Sequence, residues 1–219
     1  MSRLVHFAGA LVASVVMTSI GAIAAPSAPP PASVAQRAPP PVVLHPPFDA
    51  TFACSYHPTG QLNTLGDALG VDCFITSLVL AEGGVGWSAP HRGNGAANAD
   101  WFGWEKPVLA PFDGIVVALF ENPNVNTPGV MRPGRASSVT LARADGMHVV
   151  IAHVQSATVR IGDAVKAGQP IARVGNNGYS RAPHIHMGAY KEGVAYPIAF
   201  DPNPSLSFLV NGEVWKGDR

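Results

Sequence analysis

From residue 107 to residue 190 the chain repeats one pattern, a short apolar run closed by turn chemistry. Pro107-Val108-Leu109-Ala110-Pro111 is followed by the hairpin pair Asp113-Gly114, and 115–120 are apolar and β-branched. A long loop at 122–135 holds three prolines and two glycines. Residues 137–143 alternate, Asp145-Gly146 turns, and 147–154 return. Short runs at 158–161, 170–174 and 183–190 follow, with Gly175-Asn176-Asn177-Gly178 as a turn before the last. Many short strands at regular spacing predict an all-β fold, an antiparallel β-sandwich or small barrel. Composition agrees: Gly (23) and Pro (21) are plentiful and charged residues make up only 13%, a mix that favours strands and turns over long helices.

Fourteen basic and fourteen acidic residues balance, which removes the electrostatic case for a nucleic-acid partner or an anionic membrane surface. The N-terminus reads as a targeting segment. Arg3 precedes an apolar stretch at 7–23, and Ala22-Ile23-Ala24 is a small-x-small cleavage site. Residues 1–24 are therefore expected to be a cleaved signal peptide, with the mature protein periplasmic or secreted and without stable membrane insertion. Residues 25–47 read as a Pro/Ala-rich linker whose one charge is Arg37. Residues 48–88 form a small leading segment, in which export makes Cys54 and Cys73 a disulfide that staples the segment to itself. His57, beside Pro58, is expected to be an exposed loop histidine. The main domain is set at 89–200, and 201–219 is a tail with a strand candidate at 206–210 and a hairpin signal at Asn211-Gly212.

Histidines carry the chemistry. His184 and His186 flank Ile185, so on a strand they face the same way. Two imidazoles on one rigid face form half of a metal site or a proton-transfer pair. Pro183 suits the start of such a strand, since it has no N–H to give to the ladder. His148 and His153 lie five apart on one expected strand and should face opposite sides. His153, at the strand end, is the one that can reach a cleft, and His148 is expected to be exposed. Trp87, Trp101, Phe102 and Trp104 gather around His91 and Asp100 in a Gly/Asn/Ala-rich stretch, as a pinned loop or a cleft wall. The candidate groups are thus His91, Asp100, His153, His184 and His186. A catalytic Zn2+ takes three protein ligands and leaves a fourth position open, and spare imidazoles beside it can move a proton.

These pieces resemble the lysostaphin/LytM-type zinc metallopeptidases, family M23, over roughly residues 90–190. His91-Arg92-Gly93 is similar to the start of the family's His-x-Gly-x-Asp motif. The stretch from Pro107 to Val116 resembles its Pro-Val-x-Ala-Pro-x-Asp-Gly-x-Val hairpin. Val150-Ile151-Ala152-His153-Val154 is similar to its Tyr-Ala-His-Leu strand, and 159–169 to its Val-x-x-Gly-Asp-x-Val-x-x-Gly-Gln segment. Val174-Gly175-Asn176-Asn177-Gly178 and Pro183-His184-Ile185-His186 complete the order. The resemblance implies an open groove, His91, Asp100 and His186 as Zn2+ ligands, His153 and His184 as the non-ligand catalytic pair, and cleavage of peptide bonds in peptidoglycan. One spacing departs: the family's Asp follows its first His by four residues, where this chain has Gly95, and Asp100 lies nine residues on, as though 95–99 were inserted. Asn94 and Asn98 are poor alternatives, because a neutral amide is a weak Zn2+ ligand.

Three rivals remain. A non-catalytic family member would bind peptidoglycan or regulate another hydrolase. A cupin-type site needs a further histidine beyond His186, and there is none. A lipoyl- or biotinyl-type carrier is suggested by 162–169, but no Lys-Met pair occurs.

Overall fold

The computed structural model describes residues 39–80, 84 and 86–201, and the backbone of 208–210 and 213–215. The expected signal peptide at 1–24, and the linker expectation as far as residue 38, lie outside the described residues. Among the described residues, no helix is long and apolar enough to cross a membrane.

The strands run in order: β1 (Val42–Leu44), β2 (Phe52–Tyr56), β3 (Val71–Ile75), β4 (Ser77–Leu80), β5 (Gly86–Ala89), β6 (Pro107–Leu109), β7 (Gly114–Phe120), β8 (Ser138–Ala142) and β9 (His148–Ala152). After them come β10 (Val154–Gln155), β11 (Ala164–Val165), β12 (Pro170–Val174), β13 (Ile185–Lys191), β14 (Val194–Tyr196), β15 (Ile198–Phe200), β16 (Phe208–Val210) and β17 (Glu213–Trp215). The fold is all-β, and among the described residues the one helical element is a 3-10 turn at Asn98–Asp100. An eight-stranded antiparallel sheet has the order β11-β7-β8-β9-β13-β3-β2, with β14 pairing β13. A second, three-stranded sheet, β10-β12-β6, contributes Val154, Ile171, Val174 and Val108 to the same apolar cluster as Val116, Leu141, Ile151 and Met187 of the large sheet.

Two strands that precede residue 89, β2 and β3, are built into this sheet, while β4 and β5 pair with each other. β3 lies against β13, with Asp72 opposite His186 and Cys73 opposite Ile185. β2 pairs β3 with Cys54 opposite Cys73, and the two are joined as a disulfide. The staple joins residues 48–88 to themselves, as expected, and in doing so ties the edge strand β2 to β3, which pairs with β13. The linker boundary shifts as well: β1 pairs β15 in parallel, and Leu44 and Phe48 are fully buried. Burial of those two side chains against the core outweighs the linker-like composition around them. β16 and β17 pair as a hairpin, as the Asn211-Gly212 signal predicts, and those two residues lie outside the described ones.

Candidate active site

The site grows from the alternation of β3 and β13. Val71, Cys73 and Ile75 of β3, and Ile185, Met187 and Ala189 of β13, point into the core. The intervening residues share the other face, so Asp72, Phe74 and His186 meet there. His184, one residue before β13, keeps the parity of His186 and stacks on Phe74, with ring centroids 4.9 Å apart at 14°. His186 and His184 are both buried. Gly70 is required here, because a side-chain carbon at that position would sit 2.8 Å from Cε1 of His186 and 2.7 Å from the Met187 carbonyl oxygen.

His153 joins the pair by a backbone device. β9 ends at Ala152, and His153 adopts φ +60°, in the left-handed region uncommon for a residue with a side chain. That kink interrupts the strict alternation counted from His148. The His153 ring lies 4.7 Å from the His184 ring and 6.4 Å from the His186 ring. His148 stays at the far end of the sheet, half-buried and stacked on Tyr190 at 5.1 Å.

Each imidazole has one nitrogen fixed by an oxygen acceptor. His153 Nδ1 donates to the Asn177 carbonyl at 2.9 Å, and His184 Nδ1 to the Ala182 carbonyl at 2.7 Å. His186 Nε2 donates to the Gly66 carbonyl at 3.2 Å, with Asp67 Oδ1 at 3.4 Å. These bonds leave Nε2 of His153 and of His184 without a hydrogen bond, that of His184 3.7 Å from Asp72 Oδ1, and turn Nδ1 of His186 to Asp72 Oδ1 at 2.9 Å. Burial alone would raise the Asp72 carboxyl, but the His184 and His186 rings, by contact and by charge, hold it well below the usual carboxylate range. Burial opposes protonation of His186, yet hydrogen bonding to Asp72 and the charges of Asp72 and Asp67 outweigh it, and its pKa is raised. Burial, reinforced by neighbouring His184, lowers His153 to about 3, so its ring is neutral at neutral pH.

A residue that the sequence places in an exposed loop completes the cluster. His57 instead prolongs β2, its N–H donating to the Gly70 carbonyl at 2.9 Å, and it is half-buried on the face of Ser55 and Asp72. Its Nδ1 meets Gln61 Oε1 at 3.1 Å, while Nε2 is buried without a hydrogen-bond partner, 3.3 Å from Asp72 Oδ2. Among the described residues, one set of three can close on a metal ion: His57, Asp72 and His186, with ligand atoms all within 4.8 Å of one another. Two imidazoles and a carboxylate suit Zn2+, an orphaned buried Nε2 marks a missing partner, and the bonds to Gln61 and Gly66 are the outer contacts that metal-binding histidines make.

His91 and Asp100, the expected ligands, are outside that set. His91 bridges Trp101 through the backbone and packs on its ring at 4.8 Å, with Gly95 against its other side. Asp100 Oδ2 accepts the Ala97 N–H at 2.9 Å and closes the 3-10 turn. Local hydrogen bonding thus commits Asp100 to the fold of its own loop, while His91 is held there by ring packing, its Nδ1 buried without a hydrogen-bond partner. The loop still belongs to the neighbourhood, since Trp101 lies 6.0 Å from Phe74, the ring on which His184 stacks. It forms a wall beside the histidines, and Trp101 and Trp104 are half-buried in it. The sequence does carry a signal for Asp72: a single acid inside the apolar run Val71–Ile75, on the face opposite a cystine.

Residues 96–197 match the family model of Peptidase family M23. Glycyl-glycine endopeptidase ALE-1 of Staphylococcus capitis is 35% identical over 101 residues, covering 46% of this chain and 25% of that protein. Lysostaphin of Staphylococcus simulans is 38% identical over 74 residues, covering 33% of this chain and 15% of that protein. The chain therefore spans a quarter or less of the curated relatives it matches. Among solved structures, the catalytic domain of the prophage-encoded M23 protein EnpA from Enterococcus faecalis covers 70% of this chain and 94% of its own, at 22% identity and a TM-score of 0.45. His153, His184 and His186 lie inside the matched segment, and over residues 96–197 the chain is similar to peptidase family M23.

Proposed function

We propose that the protein is an exported, zinc-dependent endopeptidase that hydrolyses peptide bonds in peptidoglycan. The observation that carries this reading is the convergence of four imidazoles and one carboxylate, each imidazole held by one nitrogen and presenting the other. His57, Asp72 and His186 would hold the metal. It would polarise the scissile carbonyl and lower the pKa of the attacking water. His153, its Nδ1 held by the Asn177 carbonyl, offers Nε2 to take the proton from that water and would act as the general base. His184, its Nδ1 bound to Ala182, faces the same space with Nε2, and with a proton on that nitrogen it would stabilise the charge that develops on the carbonyl oxygen.

The substrate assignment draws on the similarity to ALE-1, a glycyl-glycine endopeptidase. Incubating the purified protein with peptidoglycan sacculi, with and without added Zn2+, tests the reading. New amino termini that depend on zinc are expected. A protein that binds zinc and sacculi but releases none would be a non-catalytic member of the family.

A further inference from the structure

We propose that the Cys54–Cys73 disulfide is the positioning element of this metal site, fixing the register of β2 so that His57 lies on the same face as Asp72. The inference rests on the reading of His57, Asp72 and His186 as zinc ligands. β2 is the terminal strand of the sheet and bonds to β3 alone. Packing defines its register at one end only: Phe52 meets Phe48 and Phe200 edge-on at 5.8 and 5.5 Å, while Ala53, Ser55 and Tyr56, towards His57, are exposed. Without a second anchor the His57 end of the strand is free to slip, and a slip of one residue turns every side chain to the opposite face. For His57 that would mean leaving Asp72.

The disulfide prevents the slip. Cys54 and Cys73 are directly opposite in the ladder, so the covalent bond admits a single register. Its anchor is firm, because Cys73 is fully buried in the core. Cys73 follows Asp72 immediately and Cys54 precedes His57 by three residues, so the crosslink joins the two strands that carry two of the three ligands. Alternation keeps both sulfurs on the core face, away from the imidazoles, so the bond acts through His57 and takes no part as a ligand. Beyond the crosslink, the His57 N–H to Gly70 and His57 Nδ1 to Gln61 carry the register to the ring.

The test is Zn2+ affinity of the full chain, measured by competition with a chromophoric chelator. Four proteins are compared: wild type, His57→Ala, the pair Cys54→Ser/Cys73→Ser, and the triple variant. The serine pair is expected to weaken zinc roughly 10- to 100-fold, as loss of a ligand's supporting contacts does. In the His57→Ala background the same pair should change affinity by no more than about twofold, because the ligand it positions is gone. Equal weakening with and without His57 would make the disulfide a general structural bond and overturn the proposal. Unchanged affinity in the serine pair, with weakening by His57→Ala, would overturn it while leaving the ligand set intact. Unchanged affinity in His57→Ala would remove the ligand reading itself. If the serine pair does not fold, Cys54→Ala/Cys73→Val, which keeps an apolar group in the core, carries the same comparison. Failure of both pairs to fold would assign the disulfide to the core and overturn the proposal.

Discussion

At the residue scale, His184 and His186 begin as an equivalent pair and are separated by their hydrogen bonds. His186 gives its Nε2 to Gly66 and turns Nδ1 to Asp72, whereas His184 gives Nδ1 to Ala182 and keeps Nε2 free. His186→Ala should therefore abolish both zinc binding and cleavage. His184→Ala should keep zinc at one per chain and lower kcat roughly 100- to 10,000-fold, the usual worth of a group that acts on the transition state. Metal analysis beside sacculus cleavage decides this, and loss of zinc from the His184 variant would contradict the division of roles. His153 adds a pH signature. Its folded pKa lies at about 3 against an ordinary 6.5, chiefly through burial. Between those values the unfolded chain binds a proton that the folded chain does not, so the contribution of His153 is complete above 6.5 and is lost as pH falls towards 3. His186 works in another window: its pKa is raised, so its contribution is complete below 6.5 and is lost as pH rises through the folded value. Asp72, held low, matters only as pH falls below 3.8. The melting temperature of the metal-free protein should thus fall as pH drops from about 6.5 to about 4, and less steeply for His153→Gln. Equal slopes for the two proteins would rule out a buried, neutral His153.

At the element scale, the loop that carries His91 and Asp100 is a folded unit with its own internal bonds. His91→Ala and Asp100→Ala should bind Zn2+ as tightly as the wild type, while Asp72→Asn should lose it. Asp100→Ala should also loosen the 3-10 turn, at a cost of about 1 kcal/mol, typical of a lost cap. Zinc loss in either loop variant, followed by calorimetric titration, would bring that loop back to the metal. The contrast shows where the sequence is legible. β7, β8, β9 and β13 are readable because alternation and turn pairs such as Asp145-Gly146 mark them locally, and His184 and His186 follow from period two. β2 and β3 are not, because register across an edge pair depends on long-range partners, Cys54 with Cys73 and Asp72 with His186, that local pattern does not encode. The stretched spacing from His91 to Asp100 leads to an acid inside a closed 3-10 turn, whereas Asp72 stands before the first histidine of that motif, where a search forward from His91 does not reach. His57 is hidden for a related reason: its neighbour Pro58 reads as a loop signal, and a strand end has the same local chemistry as a loop.

At the scale of the whole molecule, the segment recognised as family M23 is less than the unit that folds. The match begins at residue 96, yet two of the three candidate ligands, His57 and Asp72, lie before it. The strand that carries Asp72 also covers one edge of β13 and buries Val71, Cys73 and Ile75. Further upstream, Leu44 and Phe48 close the core beside β15. Phe48→Ala should cost about 3–5 kcal/mol, the range for emptying a buried aromatic position, read as a lower denaturant midpoint with an unchanged slope. A fragment that starts at residue 89 loses more. It leaves the His184–His186 strand with an unpaired edge and an apolar face without β3, and it removes the carboxylate that charge-balances the imidazoles. Such a fragment should be aggregation-prone and should bind no zinc at micromolar concentrations, whereas a chain that starts at residue 39 retains β1, β2 and β3. Expression of the two fragments, followed by size-exclusion chromatography and metal analysis, distinguishes them. A soluble, zinc-loaded fragment from residue 89 would mean that the ligands lie after residue 88, and would bring His91 and Asp100 to the metal.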